Sequence, residues 1–137
     1  HSAAYRNHLE MCELMFDGLS GQEVTDIVNI QTSDNSTPVH YAARRGYIEV
    51  VKYLIERVPE SARFDLLKKR DSDGDTALHR AAKYKYIECV QLILSKLPQQ
   101  QQLQLINIKN NNNQSVADIL PDVFPGWIVK GIIIWIF

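Results

Sequence analysis

A chain of 137 residues with 45% hydrophobic content is long enough for one domain with its own core, and a formal charge of −1 removes any global pull toward nucleic acid or an anionic membrane. Its two cysteines, Cys12 and Cys89, are too few for a disulfide framework; both fall at apolar helical positions, read as small buried hydrophobes, and fit a reducing, cytoplasmic setting. No secretory-leader pattern is read in the first residues, which begin at His1 as in a piece of a longer chain, and the apolar stretch Gly126 to Phe137, at 12 residues, is shorter than the ~20 needed to span a bilayer.

In chain order, Asn7 to Phe16 is the first patterned segment. It aligns with Gly46 to Ile55 and with Lys85 to Leu94 at steps of 39 residues, so that Leu9, Ile48 and Ile87 share one register and Glu10, Glu49 and Glu88 another. Ile27 and Val28 follow, in the register of Leu66, Leu67, Leu105 and Ile106, and predict a short spacer helix in each unit. A turn is expected at Asp34-Asn35-Ser36, where Asn35 tolerates positive φ. Thr37 is placed to cap a helix whose first position is Pro38, where a missing N–H costs nothing. That helix runs through the small pair Ala42-Ala43 and breaks at Gly46. Ile48, Val51, Leu54 and Ile55 then mark one apolar face of a second helix, which Pro59 closes.

The same order returns in the next period. Asp71 to Asp75 forms the turn with Gly74 in place of Asn35, Thr76 caps, and Thr76-Ala77-Leu78-His79-Arg80-Ala81-Ala82 repeats Thr37-Pro38-Val39-His40-Tyr41-Ala42-Ala43. Lys85 stands where Gly46 stood and is a poorer breaker. Ile87, Val90, Ile93 and Leu94 repeat the apolar face, and Pro98 repeats Pro59. The runs Gln99 to Gln102 and Asn110 to Asn113 fall in register, so they are expected as solvated helix or loop surface and not as disorder. A worn third copy begins with Ser115 as cap; Asp118 and Pro121 replace His and the second Ala, which predicts a short first helix. A fixed period of this size predicts a stacked solenoid.

The stretches Asp34 to Gly46 and Asp73 to Ala82 resemble ankyrin repeats. They combine the D-G-x-T-P-L-H-x-A-A pattern, a Gly before the second helix and a following V-V-x-x-L-L pattern; Asn29-Ile30 and Asn107-Ile108 resemble the family's Asn-Ala pair. The resemblance implies an all-α ankyrin-repeat solenoid of helix-turn-helix units with finger loops, two full repeats between two partial ones. The boundaries expected are one domain over 1–137, divided at 1–33, 34–72, 73–111 and 112–137. The period of 39 exceeds the usual ~33. Long, spaced units of this kind are similar to those of ankyrin proteins that intracellular bacteria inject into host cells.

What the resemblance implies for function is a non-catalytic scaffold that binds another protein along a concave groove of fingers and first helices. With the core assigned, the residues left on that face are Ser36, Tyr41, Arg44, Arg45, Asp75, Arg80, Lys83 and Tyr84. Arg and Tyr dominate binding hot spots, and Arg pairs carboxylate or phosphate in a bidentate way, so the expected partner carries acidic or phosphate groups. The rival readings are a target-recruiting module of a larger enzyme or secreted effector, and membrane contact through the Trp127 and Trp135 terminus.

Catalytic and metal chemistry finds little purchase in the residues. His40 and His79 occupy the family's T-x-x-H position, which implies a structural strut to the cap and to the next finger. Asp71, Asp73 and Asp75 alternate like a calcium loop, but Gly74 is misplaced and Ala82 stands where a bidentate Glu is required. Asn35-Ser36-Thr37 and Asn113-Gln114-Ser115 match glycosylation acceptors and are explained by the turn and cap. Lys68-Lys69-Arg70 reads as solvated surface. There is no phosphate-cradling glycine loop, nucleophile elbow or zinc spacing, so no cofactor or metal is expected.

Overall fold

The computed structural model describes residues 9–11 and 13–124, among which helices, turns and loops account for the whole backbone and no strand occurs. Residues 9–11 and 13–16 are helical. Then come α1 (Gly21–Val28), α2 (Pro38–Arg45), α3 (Ile48–Arg57), α4 (Glu60–Leu67), α5 (Ala77–Lys83), α6 (Ile87–Ser95), α7 (Gln99–Ile106) and α8 (Val116–Ile119). The expectations for Cys12 and for the apolar terminus lie outside the described residues.

The caps fix where the first helices begin. Thr37, Thr76 and Ser115 sit in extended backbone and accept from the N–H of the third helical residue, which bonds back to the cap's own N–H. Each such box satisfies two donors that a helix start would otherwise leave orphaned, and the cap hydroxyl contributes ~1 kcal/mol. Pro38 opens α2, and α8 is only four residues long, as the worn copy predicts. The spacer helices are α1, α4 and α7. Pro59 and Pro98 start the last two, whereas Ser20 starts α1 with a capping box to Glu23.

Backbone strain sits where the sequence places its turn residues. Asn35, Gly74 and Asn113 have φ of 61°, 77° and 60°. Gly74 is required twice over, because a Cβ there would lie 2.6 Å from the backbone nitrogen of Asn111. The turns between first and second helix need the same conformation: Gly46 takes φ 71°, and Lys85 takes φ 59° against the preference of its side chain. Lys85→Gly is therefore expected to stabilise the fold by about 0.5–1 kcal/mol, the ~1–2 of relieved αL contact less glycine's larger unfolded-state entropy. Urea unfolding checks this; a lower midpoint would show that Lys85 is not strained.

The helices stack in two layers. α2 packs on α5 and α5 on α8, while α3 packs on α6; within a unit α2 meets α3 and α5 meets α6. The small pairs Ala42-Ala43 and Ala81-Ala82 are buried, which lets first helices approach closely. Val51, Ile55, Leu78, Val90, Ile93 and Leu94 are fully enclosed between the layers, joined by Leu66, Leu67, Leu105 and Ile106 from the spacer helices.

The polar runs are less solvated than expected. Gln102 is only 7% exposed; its amide donates to Leu94 O at 2.7 Å and Leu97 O at 2.9 Å, closing the end of α6. Asn110 is also buried, because its side chain holds two finger N–H groups. Their neighbours in each run are on the surface, so the correction concerns one register position per run.

Candidate functional site

The second and third fingers are each built by one side chain at the base. Asp71 Oδ1 accepts from Asp73 N and Asp75 N at 2.9 and 3.0 Å, and Asn110 Oδ1 accepts from Asn112 N and Gln114 N at 3.0 Å each. Successive fingers then bond to one another. Ser72 N donates to Asp34 O at 2.8 Å, Asn111 N to Asp73 O at 3.0 Å, and the Asn111 amide to Ser72 O at 2.9 Å. Arg70, though exposed, joins them by donating to Lys109 O at 3.1 Å.

The histidines tie fingers to helices. His40 Nδ1 accepts from Thr37 N at 3.1 Å, which leaves the proton on Nε2, and Nε2–H donates to Asp75 O at 2.9 Å in the next finger. His79 repeats this with Thr76 N at 3.1 Å and Gln114 O at 3.0 Å. Burial lowers the pKa of both below the ordinary 6.5, more than the accepting carbonyls and nearby carboxylates raise it. Asp118 takes the third position: Oδ2 accepts from Ser115 N at 2.9 Å, so the cap is kept, but a carboxylate has no N–H for a further finger.

The sign of the pH dependence follows. A histidine whose folded pKa lies below its unfolded value contributes stability that is fully present above ~6.5 and lost as pH falls through the folded value. The melting temperature is expected to be level from pH 8 to 7 and to fall below about 6.5. A curve flat to pH 5 would show that the folded histidines do not titrate below their unfolded value.

The residues expected on the binding face divide into two groups. Arg80, Lys83 and Asp75 belong to one internal network. Arg80 Nε and Nη2 reach Asp71 Oδ2 at 2.8 and 2.6 Å; Nη2 also meets Asp73 Oδ2 at 2.9 Å and Asp75 Oδ2 at 3.4 Å. Lys83 Nζ reaches Asp75 Oδ2 at 2.6 Å, and the Asn110 amide donates to Asp75 Oδ1 at 2.9 Å. Burial pushes the Asp75 carboxyl upward, but the bonds from Lys83 and Asn110 with the Lys83 and Arg80 charges outweigh it and hold its pKa below the usual value. Asp71, Asp73 and Asp75 can place oxygens within 4.8 Å of one another, as a cation site would, and Arg80 and Lys83 supply the cations. The sequence places Asp75, Arg80 and Lys83 on the binding face and reads the acids as turn formers, with no sign that they neutralise each other. Ser36, too, is buried in its finger.

Tyr41, Arg44, Arg45 and Tyr84 form the second group. Tyr41 bonds Asp34 Oδ1 at 3.4 Å, and Asp34 also accepts from Thr32, whose hydroxyl lowers the Asp34 pKa. Arg44 lies over the Tyr41 ring, 5.3 Å from its centroid. Arg45 is exposed, and neither arginine has an ion-pair partner among the described residues. Tyr84 is 52% exposed and stacks on Tyr86 at 6.0 Å. Arg80 reaching Asp71 and Asp73 shows that finger tips and outer first-helix positions share one face.

The ankyrin-repeat family profile matches residues 1–116 in three copies. The chain belongs to the ankyrin-repeat family. No curated protein sequence matches it. Among solved structures, this ankyrin-repeat chain is similar to a chain in the crystal structure of the yeast ribosomal protein Rps3 in complex with its chaperone Yar1, at 19% identity and a TM-score of 0.70, over 94% of this chain and 85% of that one. At that identity the likeness establishes the shared fold. Among the described residues, no helix of the ankyrin array is long and apolar enough to cross a membrane.

Proposed function

We propose that this ankyrin array is a non-catalytic scaffold that binds another protein through its finger and first-helix face, with Arg44 and Arg45 pairing acidic or phosphate groups and Tyr41 and Tyr84 supplying apolar contact. The observation that carries it is the contrast between the cations of two successive first helices, in which Lys83 stands in the register of Arg44. Arg80 and Lys83 are neutralised by the second finger, whereas Arg44 and Arg45 meet no carboxylate among the described residues. Two arginines without a carboxylate partner among the described residues, one of them over the Tyr41 ring, with Tyr84 exposed one repeat on, have the composition of a binding hot spot. The similarity to a chain from a complex between a ribosomal protein and its chaperone supports a protein partner.

The test is affinity capture from lysate with the parent and with an Arg44→Glu/Arg45→Glu variant of equal melting temperature. A partner held by the parent, released by the variant and weakened at high salt is the expected result. Equal capture by both would move the interface off this face.

A further inference from the structure

Charge on the fingers and first helices changes sign from one end of the described array to the other. In the first unit, residues 32–45 carry Arg44 and Arg45 against the single acid Asp34. In the third, residues 110–123 carry Asp118 and Asp122 and no Lys or Arg. The second unit has closed its charges on itself, because Arg80 and Lys83 are bonded to Asp71, Asp73 and Asp75. The register explains the difference. Thr32, Ser36 and Tyr41 stand for Asp71, Asp75 and Arg80 in the first unit, while in the third Asp122 takes the place of Lys83.

Both ends are open to a partner. Arg45 is exposed and Arg44 is half-buried over the Tyr41 ring, while Asp34 is already committed to the Thr32 and Tyr41 hydroxyls. Asp118 and Asp122 are exposed, and neither has an ion-pair partner among the described residues. Asp118 stands in the strut register, where His40 and His79 donate to the next finger, but it presents an acceptor. Bonds from Ser115, and last the Lys109 charge, hold its pKa below the usual value, so it is anionic at neutral pH. What arrives at that end has to bring a donor or a cation.

We propose, resting on the scaffold function, that the partner presents a bipolar segment to this face. Asp or Glu residues at one end seat on Arg44 and Arg45, and Lys or Arg residues at the other seat on Asp118 and Asp122. Uncharged residues cross the self-neutralised second unit beside the exposed Tyr84 ring. The first helices α2, α5 and α8 pack in series. At about 8–10 Å per step the two ends lie about 16–20 Å apart, a span of about six extended residues. A segment of one sign is attracted at one end and repelled at the other, so the face fixes the direction in which the partner lies as well as its composition.

The test titrates the full chain by NMR with a synthetic peptide bearing a Glu pair at one end, a Lys pair at the other and about six uncharged residues between. Replacing the Glu pair by Gln is expected to weaken binding to the parent about threefold or more, and to change nothing for an Arg44→Gln/Arg45→Gln variant. Replacing the Lys pair by Gln is expected to do the same, matched by Asp118→Asn/Asp122→Asn, in which an amide oxygen still accepts from Ser115 N. Affinity that needs the Glu pair but not the Lys pair overturns the bipolar segment and leaves the scaffold on Arg44 and Arg45 standing. A peptide that moves no resonance of the first or third unit overturns it as well, and capture from lysate with Arg44→Glu/Arg45→Glu then decides the scaffold separately. If the chain dimerises and Arg44→Gln/Arg45→Gln abolishes the dimer, the two ends pair with a second copy and the partner segment is refuted.

Discussion

Arg80→Ala is expected to lower stability by about 3 kcal/mol and the melting temperature by about 10 °C. The guanidinium is the common partner of Asp71, Asp73 and Asp75, and the Asp71 and Asp75 side chains are 1% and 0% exposed. Removing it leaves the buried Asp71 charge without its cation, and that loss exceeds the value of a surface pair, ~0–1 kcal/mol. Because Asp71 also holds two N–H groups of its finger, the turn should loosen with it. Arg80→Lys is expected to recover only part of the loss, since one ammonium cannot span the oxygens that a planar fork reaches. Thermal and urea unfolding by circular dichroism give the comparison. A variant melting within a degree or two of the parent would show that Arg80 is dispensable to the finger and return it to the set of partner contacts.

His79→Ala is expected to be about as damaging, near 3 kcal/mol, by a different route. The ring is 0% exposed, and its loss leaves a cavity between units. It also orphans the buried Thr76 N–H and removes the donor to Gln114 O. His79→Asn separates the two roles, because its amide oxygen can accept from the cap but is too short to reach the next finger. About half the loss should return in urea unfolding, while hydrogen exchange at the Asn110–Gln114 finger stays fast. Full recovery with Asn would mean that the strut contributes nothing and only the cap matters.

Much of this architecture can be read from spacing. Thr37, Thr76 and Ser115 announce their helices because a hydroxyl followed by an acceptor three residues on solves a local donor problem, and the structure contains all three boxes. Asn35, Gly74 and Asn113 announce positive φ for an equally local reason. The histidine struts were legible through the family resemblance, not through spacing. What eluded the sequence was set by how the finger folds back over the helix. Arg80 lies five to nine residues beyond its three carboxylates, and nothing in that interval tells a neutralised arginine from one that faces a partner. Gln102 and Asn110 were hidden by repetition: within a run of identical residues, no side chain marks which one turns inward. The Ser20 capping box was missed although its signal, Ser followed by Glu three residues later, was present.

The described side-chain hydrogen bonds between successive units join residues 35 to 40 positions apart, from His40 with Asp75 to Lys96 with Glu56. Each therefore closes a loop of about the same modest length, and the entropy lost in closing it is nearly the same at every step. Such a chain has low contact order for its size: no described side-chain bond waits for its two ends to meet, so assembly can start at either interface and spread to its neighbour. Damage is confined in the same way, and a broken strut loosens the two units it joins before it reaches any other.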